Sequence, residues 1–360
     1  MLGETIDIAT ARLGAVCRCH GQPPSPTTFM ALTLILFFGS AVLIYFSCTY
    51  FVNGVEWLGK RLAVSQTATG TILAAFGTAL PESVVTFVAV VFGHNDAERE
   101  IGIGAALGGP LALSTLAYGV VGLTLMGSAR LKVRRKEALD VNSRRLSRDQ
   151  AWFLSIFICK LALGLVAFPG KSWLGLLFIG AYALYVVKEL RRDERTVDET
   201  ELEPLKFRPN ESQPSLFWSA LQTGIALILI FVASRIFVAQ LDTIGPWLGL
   251  RPQLVALLLS PIATEMPETM NAIIWVRQGK ENMALANISG AMMIQATIPT
   301  AFGLFGTPWL FERPLILAGG VTAITVLALF FMFRGEHVTG KRLSWASIFY
   351  LLFAGALLLR

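Results

Sequence analysis

Two stretches of this 360-residue chain carry side chains that could hold a cation. The first is Phe76-Gly77-Thr78-Ala79-Leu80-Pro81-Glu82-Ser83, and the second is Ala263-Thr264-Glu265-Met266-Pro267-Glu268-Thr269. Each sets a carboxylate beside a proline inside a long apolar segment. A carboxylate is costly in hydrocarbon, so one retained there points to a functional site. The proline withholds an amide donor and leaves a carbonyl in need of another partner. Thr78, Pro81, Glu82, Gly93 and Gly104 recur as Thr264, Pro267, Glu268, Gly279 and Gly290, each 186 positions later with no gap. The chain therefore contains an internal repeat, with half of one cation site expected in each copy.

The spacing defines what each half offers. Thr67, Thr71, Ala75, Thr78, Glu82 and Thr86 fall on one helix face, as do Ser260, Thr264, Glu268 and Asn271. Hydroxyls, freed carbonyls and two carboxylates make an oxygen-rich donor set, which suits hard cations such as Na⁺ and Ca²⁺. Soft metals want sulfur or imidazole, and neither lies on these faces. Glu82 and Glu268 are the expected central metal-binding ligands, with Thr78 and Thr264 assisting. Pro81 and Pro267 are the expected helix breakers. A single such acid could be satisfied by a local hydrogen bond with no role in transport; two at repeat-equivalent positions argue against that. Glu265 is a third acid, opposite Ala79 in the first copy, and either faces the site or lines a water-filled entrance. Gly102, Gly104, Ala105, Ala106, Gly108 and Gly109 leave the next segment nearly bare on one side, as Ala286, Ser289, Gly290 and Ala291 do in the second copy. Small residues of this kind let membrane helices approach closely. Glu56 and Asp242 also match at the same offset, but at segment edges, where a surface position is expected.

The elements that must carry these residues are membrane helices. The chain is 54% hydrophobic and 15% charged, against roughly 25% charged in soluble proteins, and its mean hydropathy is +0.61. Apolar runs of spanning length are expected at 29–51, 64–91, 98–126, 151–168, 172–190, 215–238, 251–276, 282–305, 313–333 and 343–359. Residues 1–28 read as a polar extension, and 191–214, with mixed charges and Pro204, Pro209 and Pro214, as a solvated linker. The linker divides a first half at 29–190 from a second at 215–360. The repeat cores lie at about 51–125 and 237–308. Five spans per half invert the second half relative to the first, an arrangement common in secondary transporters, whose sites form where broken helices meet at the midplane. The fold class expected is an all-α membrane protein of ten helices in two inverted five-helix repeats. Lys and Arg number 20 in the connections after odd spans and 7 on the other side. That bias puts the 127–150 and 191–214 loops in the cytoplasm and both termini outside.

The same composition excludes several classes. The net charge of +6 resides between spans and is no nucleic-acid signal. Cys17, Cys19, Cys48 and Cys159 form neither a zinc pattern nor a disulfide framework. His20, His94 and His337 lie outside the apolar runs, and no nucleophile–base pair is visible, so an enzyme is not expected. No cofactor is expected either; the partners are inorganic cations and the lipid bilayer, and no oligomeric state follows.

Gly77-Thr78-Ala79-Leu80-Pro81-Glu82 resembles, with one substitution, the Gly-Thr-Ser-Leu-Pro-Glu motif of the sodium/calcium exchangers. Ala263-Thr264-Glu265-Met266-Pro267-Glu268 is a looser match. The resemblance implies a cation antiporter of the plasma (inner) membrane. It would bind Ca²⁺ and its coupling ion through the motif Glu and Thr residues and work by alternating access. The family's polar positions after the first motif fall here on Ile101, Ala105, Ala106 and Gly109. Those after the second fall on Asn287, Ala291, Met292 and Gln295, where Asn287 and Gln295 remain polar. Glu265, Asn287 and Gln295 are thus candidate secondary ligands. With fewer side-chain ligands than the family pattern, three readings stay open: Ca²⁺ exchange against Na⁺ or H⁺, an H⁺- or K⁺-coupled exchanger of another cation, and a non-transporting cation-binding membrane protein.

Overall fold

The computed structural model describes residues 26–91, 96–130, 141–191, 202–247, 249, 258–335 and 338–358. Residues 1–25, with Cys17 and His20, lie outside this set, as do His94 and His337. The side chains of Leu80, Pro81, Glu82, Ile101 and Asp242 also lie outside it. The described elements are α1 (Pro26–Arg61), α2 (Ala75–Val91), α3 (Asp96–Ala112), α4 (Tyr118–Arg130), α5 (Ser143–Leu165) and α6 (Gly175–Arg191) in the first half. The second half has α7 (Leu216–Trp247), α8 (Ser260–Thr264), α9 (Met266–Arg277), α10 (Glu281–Gly306), α11 (Arg313–Arg334) and α12 (Ala346–Leu358).

The protein is all-helical and of membrane type. Among the described residues, six helices are long and apolar enough to cross a bilayer, beginning at Thr28, Ile103, Lys171, Leu216, Glu281 and Arg313. The other expected spans are helical but interrupted or charged. The second contains a π-helical turn at Thr69–Ala74, and the seventh is broken at Glu265. α5 carries Arg144, Arg145, Arg148, Asp149 and Lys160, and α12 is separated at Trp345 from a short helix, Gly340–Ser344.

Burial separates the helices by role. In α10, 83% of the most apolar window is buried, against 17% in α1. α10 is therefore the central post, packed by α2, α3, α5, α6, α9 and the Thr69–Ala74 turn. α1 presents Phe29, Ile35, Phe38 and Phe46 outward, a lipid-facing stripe, and packs lengthwise on α7, where Phe37 stacks on Phe237 at 4.4 Å. Glycines set the central contact. A methyl group on Gly70 would lie 2.8 Å from the Met283 carbonyl oxygen, and one on Gly290 would collide with the Thr71 carbonyl.

The structure corrects three expectations. Pro81 does not break its helix: α2 runs on through it, and the irregularity lies earlier, in the π-helical turn at Thr69–Ala74. A lost amide in a membrane helix is tolerated where neighbours satisfy the freed carbonyl. Pro267 does sit at a break, in the first turn of α9, where its missing N–H has no helical partner to lose. Glu56 is buried, not at the surface: it accepts from Trp275 Nε1 of α9 at 2.8 Å and from Lys280 Nζ, just before α10, at 2.6 Å, both in the other half. Residues 202–214 are docked as well as solvated. Leu205 is buried, Asn53 and Trp57 of α1 donate to the Glu203 carbonyl, and Gln222 of α7 accepts from the Phe207 amide.

Gly290→Val should force α10 away from the Thr69–Ala74 turn. Its expected cost is about 1–3 kcal/mol, read as a lower Tm of the detergent-purified protein. An unchanged Tm would mean the two elements do not meet this closely.

Candidate cation site

The break before α9 and the central post α10 bring Thr264, Glu265, Glu268 and Gln295 together. Glu268 lies in the first turn of α9, fully buried. Neither of its carboxylate oxygens has a hydrogen-bond partner among the described residues. Thr78 of α2 lies beside it, with its hydroxyl proton already given to the Ala74 carbonyl at 3.1 Å. Cys48 of α1 closes another side, its thiol directed at the Pro267 carbonyl at 3.8 Å. The site is therefore built from both halves: α1 and α2 from one, α9 from the other.

Glu265 occupies the break itself and is buried, at 2% exposed. Gln295 Nε2 donates to both of its carboxylate oxygens at 2.9 Å each, and the Thr264 hydroxyl lies beside it. Glu265 and Glu268 are near enough to act on one another electrostatically. Thr264 itself donates to the Pro261 carbonyl at 3.3 Å.

Asn271, one turn beyond Glu268 on α9, is fully buried with both amide atoms unpartnered among the described residues. The same holds for Asn287 on α10, and Gln295 Oε1 is also unpartnered. Asn287 and Gln295 are eight residues apart on α10, so they share a face. A buried polar atom without a partner costs free energy, and a carboxylate costs most. Carboxylate, amide and hydroxyl oxygens held dry by several helices fit a hard cation that would satisfy them. No group of three His, Cys, Asp or Glu that could hold a metal ion converges among the described residues.

The bare face of α3 has a specific use. A methyl group on Gly109 would lie 2.6 Å from Glu265 Oε1 and 2.7 Å from Gln295 Oε1. Gly109 and Gln295 are repeat-equivalent, as are Ala79 and Glu265. The second half thus extends two large polar side chains into room that the first half has vacated. Glu82 follows Thr78 by one turn in α2; its side chain lies outside the described ones.

One site neighbour is not visible in the repeat pattern. Lys160 of α5 is fully buried, and its ammonium donates to the carbonyls of Ala106 in α3 and Gln295 in α10. Its only sequence signal is a lysine inside an apolar run.

The sequence profile described as "Sodium/calcium exchanger protein" matches residues 32–189 and 218–359. The chain belongs to the sodium/calcium exchanger protein family. It is an integral membrane protein, and the family is one of transporters, not enzymes. Inner membrane protein YrbG of Escherichia coli is 25% identical over 339 residues, 89% of this chain and 98% of the relative. Putative antiporter CaxA of Alkalimonas amylolytica is 26% identical over 273 residues, 73% of this chain and 77% of the relative. The sodium-calcium exchanger NCX_Mj, soaked with 10 mM Na⁺ and zero Ca²⁺, shares the fold with a TM-score of 0.69 at 19% identity. That match covers 91% of this chain and 99% of the other.

Gly109→Ala and Gln295→Ala should be strongly non-additive, because removing the amide relieves the clash that the new methyl creates. A coupling of about 0.5–3 kcal/mol is expected between contacting residues, read from denaturation of the two single variants and the double. Additive losses would separate Gly109 from the Glu265–Gln295 pair.

Proposed function

We propose that this exchanger-family protein is a secondary active cation antiporter, moving Ca²⁺ or a related cation against Na⁺ or H⁺ by alternating access. The observation that carries the reading is the fully buried, unpartnered carboxylate of Glu268 at a junction of helices from both halves. A cation is the partner such a group lacks. Glu82 and Glu268 are the central ligands in this reading, with Thr78 and Thr264 beside them, and Glu265, Gln295 and Asn287 as secondary ligands. The scaffold is ten helices in two inverted five-helix repeats. Both termini lie outside, and the 127–150 and 191–214 loops lie in the cytoplasm, in a plasma (inner) membrane. The antiporter and exchanger names of the relatives support cation exchange as the class of activity.

A second reading, H⁺- or K⁺-linked exchange of another cation, is favoured by one observation. Gln295 binds both oxygens of Glu265, and Gly109, Ala105 and Ala106 offer no side-chain ligand on α3. Fewer oxygens then remain for several coupling ions at once.

Purified protein in liposomes distinguishes these readings. Glu82→Gln and Glu268→Gln are each expected to reduce ⁴⁵Ca²⁺ uptake, driven by an outward Na⁺ or H⁺ gradient, to background. Uptake that survives either change removes that residue from the site. Flux that a protonophore collapses and that ignores Na⁺ would favour the second reading. Cation binding without flux would identify a binding protein that has lost transport.

A cysteine placed at Asn210 should react with a membrane-impermeant maleimide in inside-out vesicles and not in right-side-out ones. The reverse result would invert the proposed orientation.

A further inference from the structure

Lys160 lies within α5, which packs on α11 and on the central post α10. Its side chain is fully buried, and its ammonium donates at 2.6 Å to the Ala106 carbonyl and at 3.2 Å to the Gln295 carbonyl. The rings of Phe157 and Trp309 lie 5.5 and 5.9 Å from the ammonium. No carboxylate pairs with it among the described residues.

The two carbonyls have a common origin. Ala106 precedes Pro110 by four residues, and Gln295 precedes Pro299 by four. In an α-helix the carbonyl of residue i accepts from the amide of i+4. Proline has no amide hydrogen, so each of these carbonyls lacks its helical donor. Two helices in different halves of the chain have thus each opened one carbonyl toward the same point, and a cation sits on both. Gln295 joins this point to the acidic site: its backbone oxygen takes the ammonium while its side-chain amide holds both oxygens of Glu265. A polar uncharged side chain could satisfy such carbonyls at lower desolvation cost than a buried ammonium. The charge is what a lysine adds.

We propose that Lys160 is a tethered cation. Its ammonium fills a monovalent-cation subsite formed by the proline-freed carbonyls of Ala106 and Gln295. One positive charge beside the Glu265–Glu268 site therefore belongs to the protein and is not moved. Placing that charge in the transport path rests on the antiporter reading above; the subsite itself does not.

The test uses the purified full-length chain in detergent and equilibrium dialysis with ²²Na⁺ and [¹⁴C]methylammonium. Wild-type protein should bind no methylammonium here, whereas Lys160→Ala should gain one methylammonium site per chain that Na⁺ competes for. In liposomes the same variant should move one more monovalent cation per Ca²⁺. Monodisperse Lys160→Ala protein with no gain in either bound cation would overturn the proposal. Should that variant not fold, Lys160→Met fills the space without charge. It is expected to bind ⁴⁵Ca²⁺ at least about threefold more tightly, since a nearby like charge is gone; an unchanged Kd would also overturn the proposal. Wild-type protein that neither binds nor moves Na⁺ or Ca²⁺ would defeat the antiporter reading alone, and a methylammonium gain in Lys160→Ala would still support the subsite.

Discussion

A carboxylate sealed among apolar helices has to be answered by something, and the answer organises this molecule. Glu268 has no hydrogen-bond donor among the described residues, although polar side chains stand around it. Thr78 spends its proton on its own helix, and Gln295 spends its amide on Glu265. Both donors are thus committed elsewhere, while the side-chain amides of Asn271 and Asn287 stay unpartnered among the described residues. Such an arrangement would be wasteful in a structural core, where buried donors and acceptors are normally paired.

The two halves build this site unequally. Where the second copy has Glu265 and Gln295, the first has Ala79 and Gly109. The exchange is steric as well as chemical, because the Gly109 backbone stands where a side chain would strike both oxygens. An ancestral two-fold arrangement would offer matched ligands from each side. Here the first half contributes closeness, through Gly70 and the Thr69–Ala74 turn, and the second half contributes reach.

Much of this was legible in the sequence because charge and proline are rare in apolar runs and recur at a fixed offset. Thr78, Thr264 and Glu268 announce themselves in that way; Glu265 stands out only as an acid in an apolar run, and Asn287 and Gln295 came only with the family resemblance. What escaped has partners far away along the chain. Glu56 reads as an edge residue until Trp275 and Lys280 are brought to it from more than two hundred positions away. Lys160 has no repeat counterpart, since Ala346 stands at the matching position. The carbonyls that hold it are opened by prolines on two other helices. Pro81 shows the opposite error: a residue type read as a break proved compatible with a continuous helix.

The docking of residues 202–214 has a consequence for how the halves may be recombined. Tolerance of a join to insertion or cutting follows from how few backbone and side-chain contacts the join makes. This one is sewn to α1 through Asn53, Trp57 and Arg61 and to α7 through Gln222. α1 and α7 are also the pair that lie along one another. The connection is therefore a splint that fixes the sliding position of one half against the other, and a circular permutant or a split chain would lose that gauge along with the covalent bond.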